Sequence, residues 1–239
     1  MPQLKLPSMS SHGFELVFGY LYTGLAVNVS MVIANAPLAA AVLLVRDPAS
    51  AWPFFLLLSP TLAPSLAGAF GAFEAHAFGD GGGVPAPFAA FWRAWLRSVR
   101  PALAVGVALG ALLLLVGLDL SGTAGTAAGA LVAPVLLLAA ALGVAVALLV
   151  LTGLALRPAD DAASLSLGAL VKASVYLALR RAPISLLSLA AVAGACVFVL
   201  AQPVLGAMLG VAPLLFVAFG NSRATLALLS AVARVPAQG

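Results

Sequence analysis

The chain has 239 residues, of which 64% are hydrophobic and only 8% are Asp, Glu, Lys or Arg. A typical soluble domain carries roughly 25% charged residues, so this composition excludes a soluble globule, a disordered tail and a disulfide-stapled secreted scaffold. The single cysteine, Cys196, excludes an intrachain disulfide, and the two histidines exclude a histidine-rich metal cluster. The composition therefore predicts an integral membrane protein.

Long apolar runs along the chain predict its membrane spans. A bilayer core of about 30 Å requires roughly 20 apolar residues as helix, whereas barrel strands would alternate with period two. We therefore expect an all-α polytopic transmembrane helical bundle, a single membrane domain over residues 1–239. The last two runs meet at Gln202-Pro203 as a tight hairpin, because one kinked helix would far exceed the bilayer thickness. The six predicted spans are approximately 16–45, 54–73, 102–118, 127–151, 184–201 and 204–219.

The basic residues sort to one side of this six-span arrangement. Lys and Arg concentrate in loops that stay in the cytoplasm. With six spans, every Lys and Arg except Arg46 falls on the same side. We therefore expect a multi-pass protein of the bacterial cytoplasmic (inner) membrane with both termini in the cytoplasm. Positive loops of this kind also account for the high isoelectric point, so nucleic acid is not expected as a partner.

An aromatic and basic segment, FAAFWRAWLRSVRP, follows a glycine-rich turn after the second span. At 100° per residue its aromatic side chains share one face of a helix and its arginines another. Such a pattern is typical of a helix in the plane of the lipid headgroups, and it predicts interfacial helices over 88–100, ended by Pro101, and more weakly over 167–182 and 221–235. The first could dock a cytoplasmic partner or only anchor the membrane. Its candidate interface residues are Phe88, Trp92, Arg93, Trp95, Arg97 and Arg100.

Neutral polar residues inside the predicted spans are the candidates for an internal role. Asn28 and Asn35 are seven residues apart, so they share one face of the first span and should face another helix. Ser59 and Thr61 lie where two prolines interrupt the second span. Broken helices line binding sites in many transporters, although simple kinks have the same sequence pattern.

The ionisable residues of the second span form a weaker candidate site. Glu74, His76 and Asp80 lie near its cytoplasmic end and could form an ion or proton site, or simply a solvated helix end. The sequence contains no P-loop, HExxH or GxSxG motif. We therefore expect no catalytic residue, no metal and no cofactor, and the chain is not predicted to be an enzyme.

Four stretches of the chain carry a family resemblance. They are NVSMVIANAP, SPTLAPSLAGAFGAF, FAAFWRAWLRSVRPAL and LVKASVYLALRRAPISLLSLA. These stretches resemble the YesL-like family of bacterial integral membrane proteins, which carry a domain of unknown function, and the composition resembles that of an actinobacterial member. The resemblance implies a link to carbohydrate uptake, because such proteins are often encoded beside carbohydrate-uptake systems. It implies no catalytic residues.

Two functions follow as hypotheses. The first is a non-enzymatic accessory or scaffold protein linked to carbohydrate uptake, whose basic helices contact components of an ABC transporter. The second is a permease subunit or small transporter in its own right. The lipid bilayer is the expected environment in both cases, and the chain could form a homo-oligomer. A membrane enzyme is a third class that no motif supports.

Overall fold

The computed structural model describes residues 11–47, 50–78, 86–157 and 166–233. Within these ranges the chain forms helices joined by short turns, and no strand occurs among them, which confirms the all-α prediction. The elements are α1 (Ser11–Ala34), α2 (Ala36–Leu44), α3 (Trp52–Leu58), α4 (Leu62–Ala77), α5 (Pro87–Gly122), α6 (Ala127–Ala155), α7 (Leu167–Arg180), α8 (Ala182–Ala201), the short turn α9 (Pro203–Leu205) and α10 (Val211–Ala233).

Five stretches of the described chain are long and apolar enough to cross a membrane. A sixth is reached if the bent pair Phe18–Ala34 and Ala36–Leu44 counts as one span. The chain is therefore a multi-pass membrane protein, with five or six crossings. The five stretches are Trp52–Ala77, Pro87–Gly122, Ala127–Ala155, Ala182–Ala201 and Pro203–Leu228.

The first apolar run, predicted as one span over 16–45, is broken in the structure. α1 and α2 meet at Asn35 with a bend of 83°. Asn35 leaves the helical region, with φ −115° and ψ 31°, and Pro37 lies in the first turn of α2. Proline has no N–H to continue the hydrogen-bond ladder of α1, and its fixed φ suits the start of a new helix. The local chemistry of Asn35-Ala36-Pro37 therefore ends one helix and begins another.

Two predicted boundaries are absent because neighbouring elements are continuous. α5 runs through Pro101, so the predicted interfacial helix 88–100 and the predicted span 102–118 are one helix of 36 residues. Pro101 removes one backbone hydrogen bond, and close packing against the preceding span on both sides of it holds the helix together. Gly71 meets Ala94 before the proline, and Gly106 approaches the Pro60 carbonyl after it.

The end of the chain differs from the prediction in the same way. α10 continues from the predicted span 204–219 into the predicted interfacial segment 221–235 without a break as far as Ala233. The last residues of that predicted segment lie outside the described chain. α7 is a separate helix, and its Leu170 packs on Gly153 near the end of α6.

The main core lies where α4 is packed between α5, α6 and α10. Phe70 and Phe219 are fully buried there, with ring centroids 5.5 Å apart, and Leu151 of α6 belongs to the same cluster. Gly68 of α4 lets the Phe91 ring of α5 lie against the backbone, because a Cβ at this glycine would stand 3.1 Å from that ring. Small residues on α4 thus allow the large aromatic side chains of α5 and α10 to fill the core.

Candidate functional site

The segment between α9 and α10 has an irregular backbone. Gly206–Gly210 form a π-helical turn, in which the Val211 N–H bonds to the carbonyl of Gly206, five residues earlier. π-Helical turns are rare, and they occur frequently at functional sites. In a regular α-helix the carbonyl of Met208 would accept the N–H of Ala212.

Asn28 of α1 binds both of those backbone groups. Its Nδ2 donates to the Met208 carbonyl over 2.7 Å, and its Oδ1 accepts the Ala212 N–H over 2.9 Å. Only 1% of Asn28 is exposed. Insertion of a side chain into the backbone ladder is an established cause of helix distortion. Asn28 therefore satisfies the π turn and fixes α1 against the start of α10.

Asn35 forms a second buried polar contact at the bend between α1 and α2. Its Nδ2 donates to the Met31 carbonyl over 2.9 Å and to Ser65 Oγ of α4 over 2.7 Å. Ser65 in turn donates to the Thr61 carbonyl. The Asn35 Oδ1 is buried and has no hydrogen-bond partner within the described chain. This acceptor is the unsatisfied member of an otherwise complete network.

A cavity of about 340 Å³ lies between α1, α2, the end of α8 and the π turn. This volume falls in the range of roughly 300–1,000 Å³ that is typical of small-molecule sites. Asn28 and Asn35 are the polar residues of its lining, and every other lining side chain is apolar. The cavity is bordered by the bend at Asn35, by the π turn and by Leu62, which follows the 3₁₀ turn of Ser59–Thr61.

Ser59 and Thr61, the other predicted intramembrane polar residues, stabilise their own helix. Ser59 Oγ donates to the Leu56 carbonyl over 2.7 Å, and Thr61 Oγ1 donates to the Leu58 carbonyl over 2.9 Å. Pro60 has no N–H to offer Leu56, so the Ser59 hydroxyl compensates for the loss. Neither hydroxyl belongs to the cavity lining.

Glu74, one of the predicted ion or proton candidates, pairs with Arg223 of α10. The two bonds, Nε to Oε2 at 2.7 Å and Nη2 to Oε1 at 3.0 Å, make the pair bidentate. The guanidinium also lies 3.7 Å from the centroid of the Phe78 ring. About one third of each charged side chain is exposed. The sequence places Arg223 in the predicted interfacial segment 221–235, and nothing in its spacing indicates the pair.

His76 faces a different helix from Glu74. Its ring packs edge-on against Tyr20 of α1, with centroids 4.9 Å apart, and its Nδ1 has no hydrogen-bond partner within the described chain. Asp80, the third residue of the predicted group, lies outside the described residues. Among the residues that the structure describes, no three potential metal ligands come together.

The aromatic half of the segment 88–100 lies mainly against protein. Phe91 is fully buried, and Trp92 and Trp95 are half-buried against the core, whereas Phe88 is 44% exposed. The spacing predicts that the aromatic residues share one face. Because Gly68 makes room for the ring of Phe91, that face packs against α4. The predicted contact of the tryptophans with lipid headgroups is therefore largely replaced by contact with the bundle.

The three arginines of that segment are exposed, and two of them bind backbone carbonyls. Arg97 Nη2 donates to the carbonyl of Ala155 over 2.9 Å and so caps the last residue of α6. A cation at a helix C-terminus is favourable, because the final carbonyls lack partners and the helix dipole is negative there. Arg93 bonds to the Ala89 carbonyl of its own helix. Arg93 and Arg100 leave positive charge on the outer surface.

The fold and these contacts define an α-helical multi-pass membrane protein with a largely apolar cavity among its helices. Comparison of the chain with protein-family models, with curated proteins and with solved structures finds no match. The YesL-like resemblance therefore stays a prediction.

Proposed function

We propose that the chain is a non-enzymatic accessory or scaffold protein of the bacterial cytoplasmic membrane, linked to carbohydrate uptake. The link to carbohydrate uptake rests on the YesL-like resemblance, and one observation carries the docking role: among the described residues, one end of the bundle has a surface with exposed cations, whereas Glu74 at that end is paired with Arg223. Arg93, Arg100 and Lys172 belong to this surface, which we call the cationic end.

A cationic end of this kind suits an acidic surface on a cytoplasmic partner such as an ABC-transporter component. Complementary charge accelerates encounter and fixes orientation, and each pair at the rim contributes modestly to affinity. The same cations also attract the anionic leaflet by about 1 kcal/mol each. If the cations dock a partner, their removal lowers partner recovery. If they only anchor the protein to the membrane, partner recovery does not change.

The test is the double change of Arg93→Gln and Arg100→Gln in the tagged protein, recovered from its native membrane. Two rim charges together contribute about 1 kcal/mol, so we expect roughly fivefold less co-purified importer. Arg97 is left unchanged because it caps α6. The control is Arg46→Gln, because Arg46 is exposed at the other end of the predicted layout. Unchanged partner recovery in the double variant would overturn docking through this end.

A second candidate function is transport by the chain itself, as a permease subunit or small transporter. The cavity favours it, because discontinuous helices meet around substrate sites in many transporters. Its apolar lining fits a sugar poorly, since the hydroxyls of a sugar need many polar partners. Co-purification separates the two functions. Recovery beside two complete permeases supports the accessory role, and recovery of an ATPase and a solute-binding protein without another permease supports transport.

A further inference from the structure

We propose that the cavity between α1, α2 and α8–α10 binds a long-chain alcohol from the bilayer, an apolar molecule that donates its hydroxyl to Oδ1 of Asn35. This site is separate from the cationic end, and the proposal does not depend on partner docking there. It rests on the lining of the cavity, on the unsatisfied oxygen and on the position of the opening.

The apolar lining favours an occupant that is itself largely apolar. Leu38 and Val42 of α2 face the cavity from one side, and Val199, Val204 and Val211 contribute from the hairpin of α8 and α10. The lining contains no charged side chain. An ionised ligand would lose its hydration there without gaining a counter-ion, so the occupant must be neutral.

The two asparagines differ in what they leave for a ligand. Both polar atoms of Asn28 already bind backbone groups of the π turn. In Asn35 the Nδ2 is used by Met31 and Ser65, whereas the Oδ1 has no partner within the described chain. A buried acceptor without a donor is unfavourable, and a hydroxyl supplies the missing proton. The oxygen is itself buried, so the proposed bond requires a small displacement of α2 at the bend.

The position of the opening indicates that the occupant comes from the bilayer. Leu43 and Val204 line the cavity and are also 63% and 64% exposed on the apolar outer surface. Val204 belongs to a stretch that is long and apolar enough to span a membrane, and Leu43 belongs to the second helix of the bent pair α1 and α2. Asn35 lies at the bend between the two helices of that pair. A lipid-like alcohol can therefore enter sideways with its chain among the lipid tails.

The experiment uses the full-length protein in lipid nanodiscs and two photoreactive probes. One is a hexadecanol that carries a diazirine on its chain, and the other is the matching hexadecane without a hydroxyl. Labelled peptides are located by mass spectrometry. We expect the alcohol to label residues 31–43 and 199–211 about fivefold more than the alkane, because only the alcohol bonds to Asn35. Equal labelling by both probes in the wild-type protein would overturn the proposal.

Two variants and a control complete the test. Asn35→Leu should reduce alcohol labelling to the level of the alkane, because the acceptor is lost. Ala39→Phe keeps that acceptor and places a ring in the cavity, so labelling of these peptides by both probes should fall. Cys196→Ser, outside the lining, should label like the wild type. Undiminished alcohol labelling in either variant would contradict binding in this cavity, and Ala39→Phe keeps the test decisive should Asn35→Leu not fold.

Discussion

Replacing Asn28 with leucine is expected to lower the free energy of unfolding by about 2–3 kcal/mol, the largest effect of any single change discussed for this chain. The substitution removes both hydrogen bonds to the π turn, at Met208 and Ala212. Interhelical hydrogen bonds within membranes contribute about 0.6 kcal/mol on average, with a maximum near 1.7. The loss for Asn28→Leu exceeds this average because the substitution leaves two buried backbone groups, one donor and one acceptor, without partners at the same time.

Relaxation of the π turn can limit this loss of stability. If the π turn relaxes to an ordinary α-helix, the Met208 carbonyl can accept the Ala212 N–H directly, and one backbone bond is regained. Thermal unfolding in detergent measures the effect, with Cys196→Ser as the reference, because Cys196 is exposed on α8 and should change stability by no more than about 0.5 kcal/mol. Equal unfolding temperatures for Asn28→Leu and Cys196→Ser would show that the amide does not fix α1 to α10.

Replacing Arg223 with alanine is expected to lower the free energy of unfolding by about 2 kcal/mol. An exposed ion pair contributes about 0.2–1 kcal/mol, and the cation–π contact with Phe78 adds about 0.5–1. The bidentate geometry places the ion pair at the upper end of its range. Because the pair is about one third exposed, solvent screens part of the attraction.

A double-mutant cycle isolates the ion pair from the other contacts of Arg223. The cycle compares Glu74→Gln, Arg223→Ala and the double variant in the same thermal unfolding assay. We expect a coupling free energy of about 1 kcal/mol that decreases at high salt. A coupling energy indistinguishable from zero at low salt would mean that the pair does not hold the ends of α4 and α10 together.

Burial of the two asparagines could be predicted from sequence, but their partners could not. The interval of seven residues predicts that Asn28 and Asn35 share a helix face, and both are buried in the structure. The partner of Asn28 lies 180 residues away along the chain, in a π turn that no local pattern indicates. Such a contact depends on how whole helices pack, which spacing within one helix does not determine.

The sequence also does not determine whether a given proline breaks its helix. Pro37 accompanies a bend of 83°, whereas α5 continues through Pro101. The sequence predicts one span through Pro37 and a helix end at Pro101, the reverse of what is found at each, because a proline either ends a helix or is accommodated within it, depending on its surroundings. The difference lies in the surroundings: Gly71 and Gly106 hold the helix around Pro101 on both sides, and at Asn35 the backbone already departs from helical geometry.

The sequence predicts that the aromatic segment 88–100 forms an amphipathic helix. It does not predict what packs against the aromatic face. Phe88, Trp92 and Trp95 are on one face by spacing, and hydrophobic periodicity does not distinguish a face that meets lipid from one that meets another helix. In this chain the glycines of α4 determine that the aromatic face meets another helix, because they make room for Phe91 and allow the tryptophans to pack against the bundle.

The orientation of the bundle is tested most directly by labelling single cysteines in intact cells. In a Cys196→Ser background, Ala89→Cys marks the cationic end and Ser121→Cys marks the opposite end, and both positions are exposed. We expect a membrane-impermeant maleimide to label Ser121→Cys in intact cells, and Ala89→Cys only after permeabilisation. Labelling of Ala89→Cys from outside intact cells would place the arginines on the wrong side and contradict docking to any cytoplasmic partner.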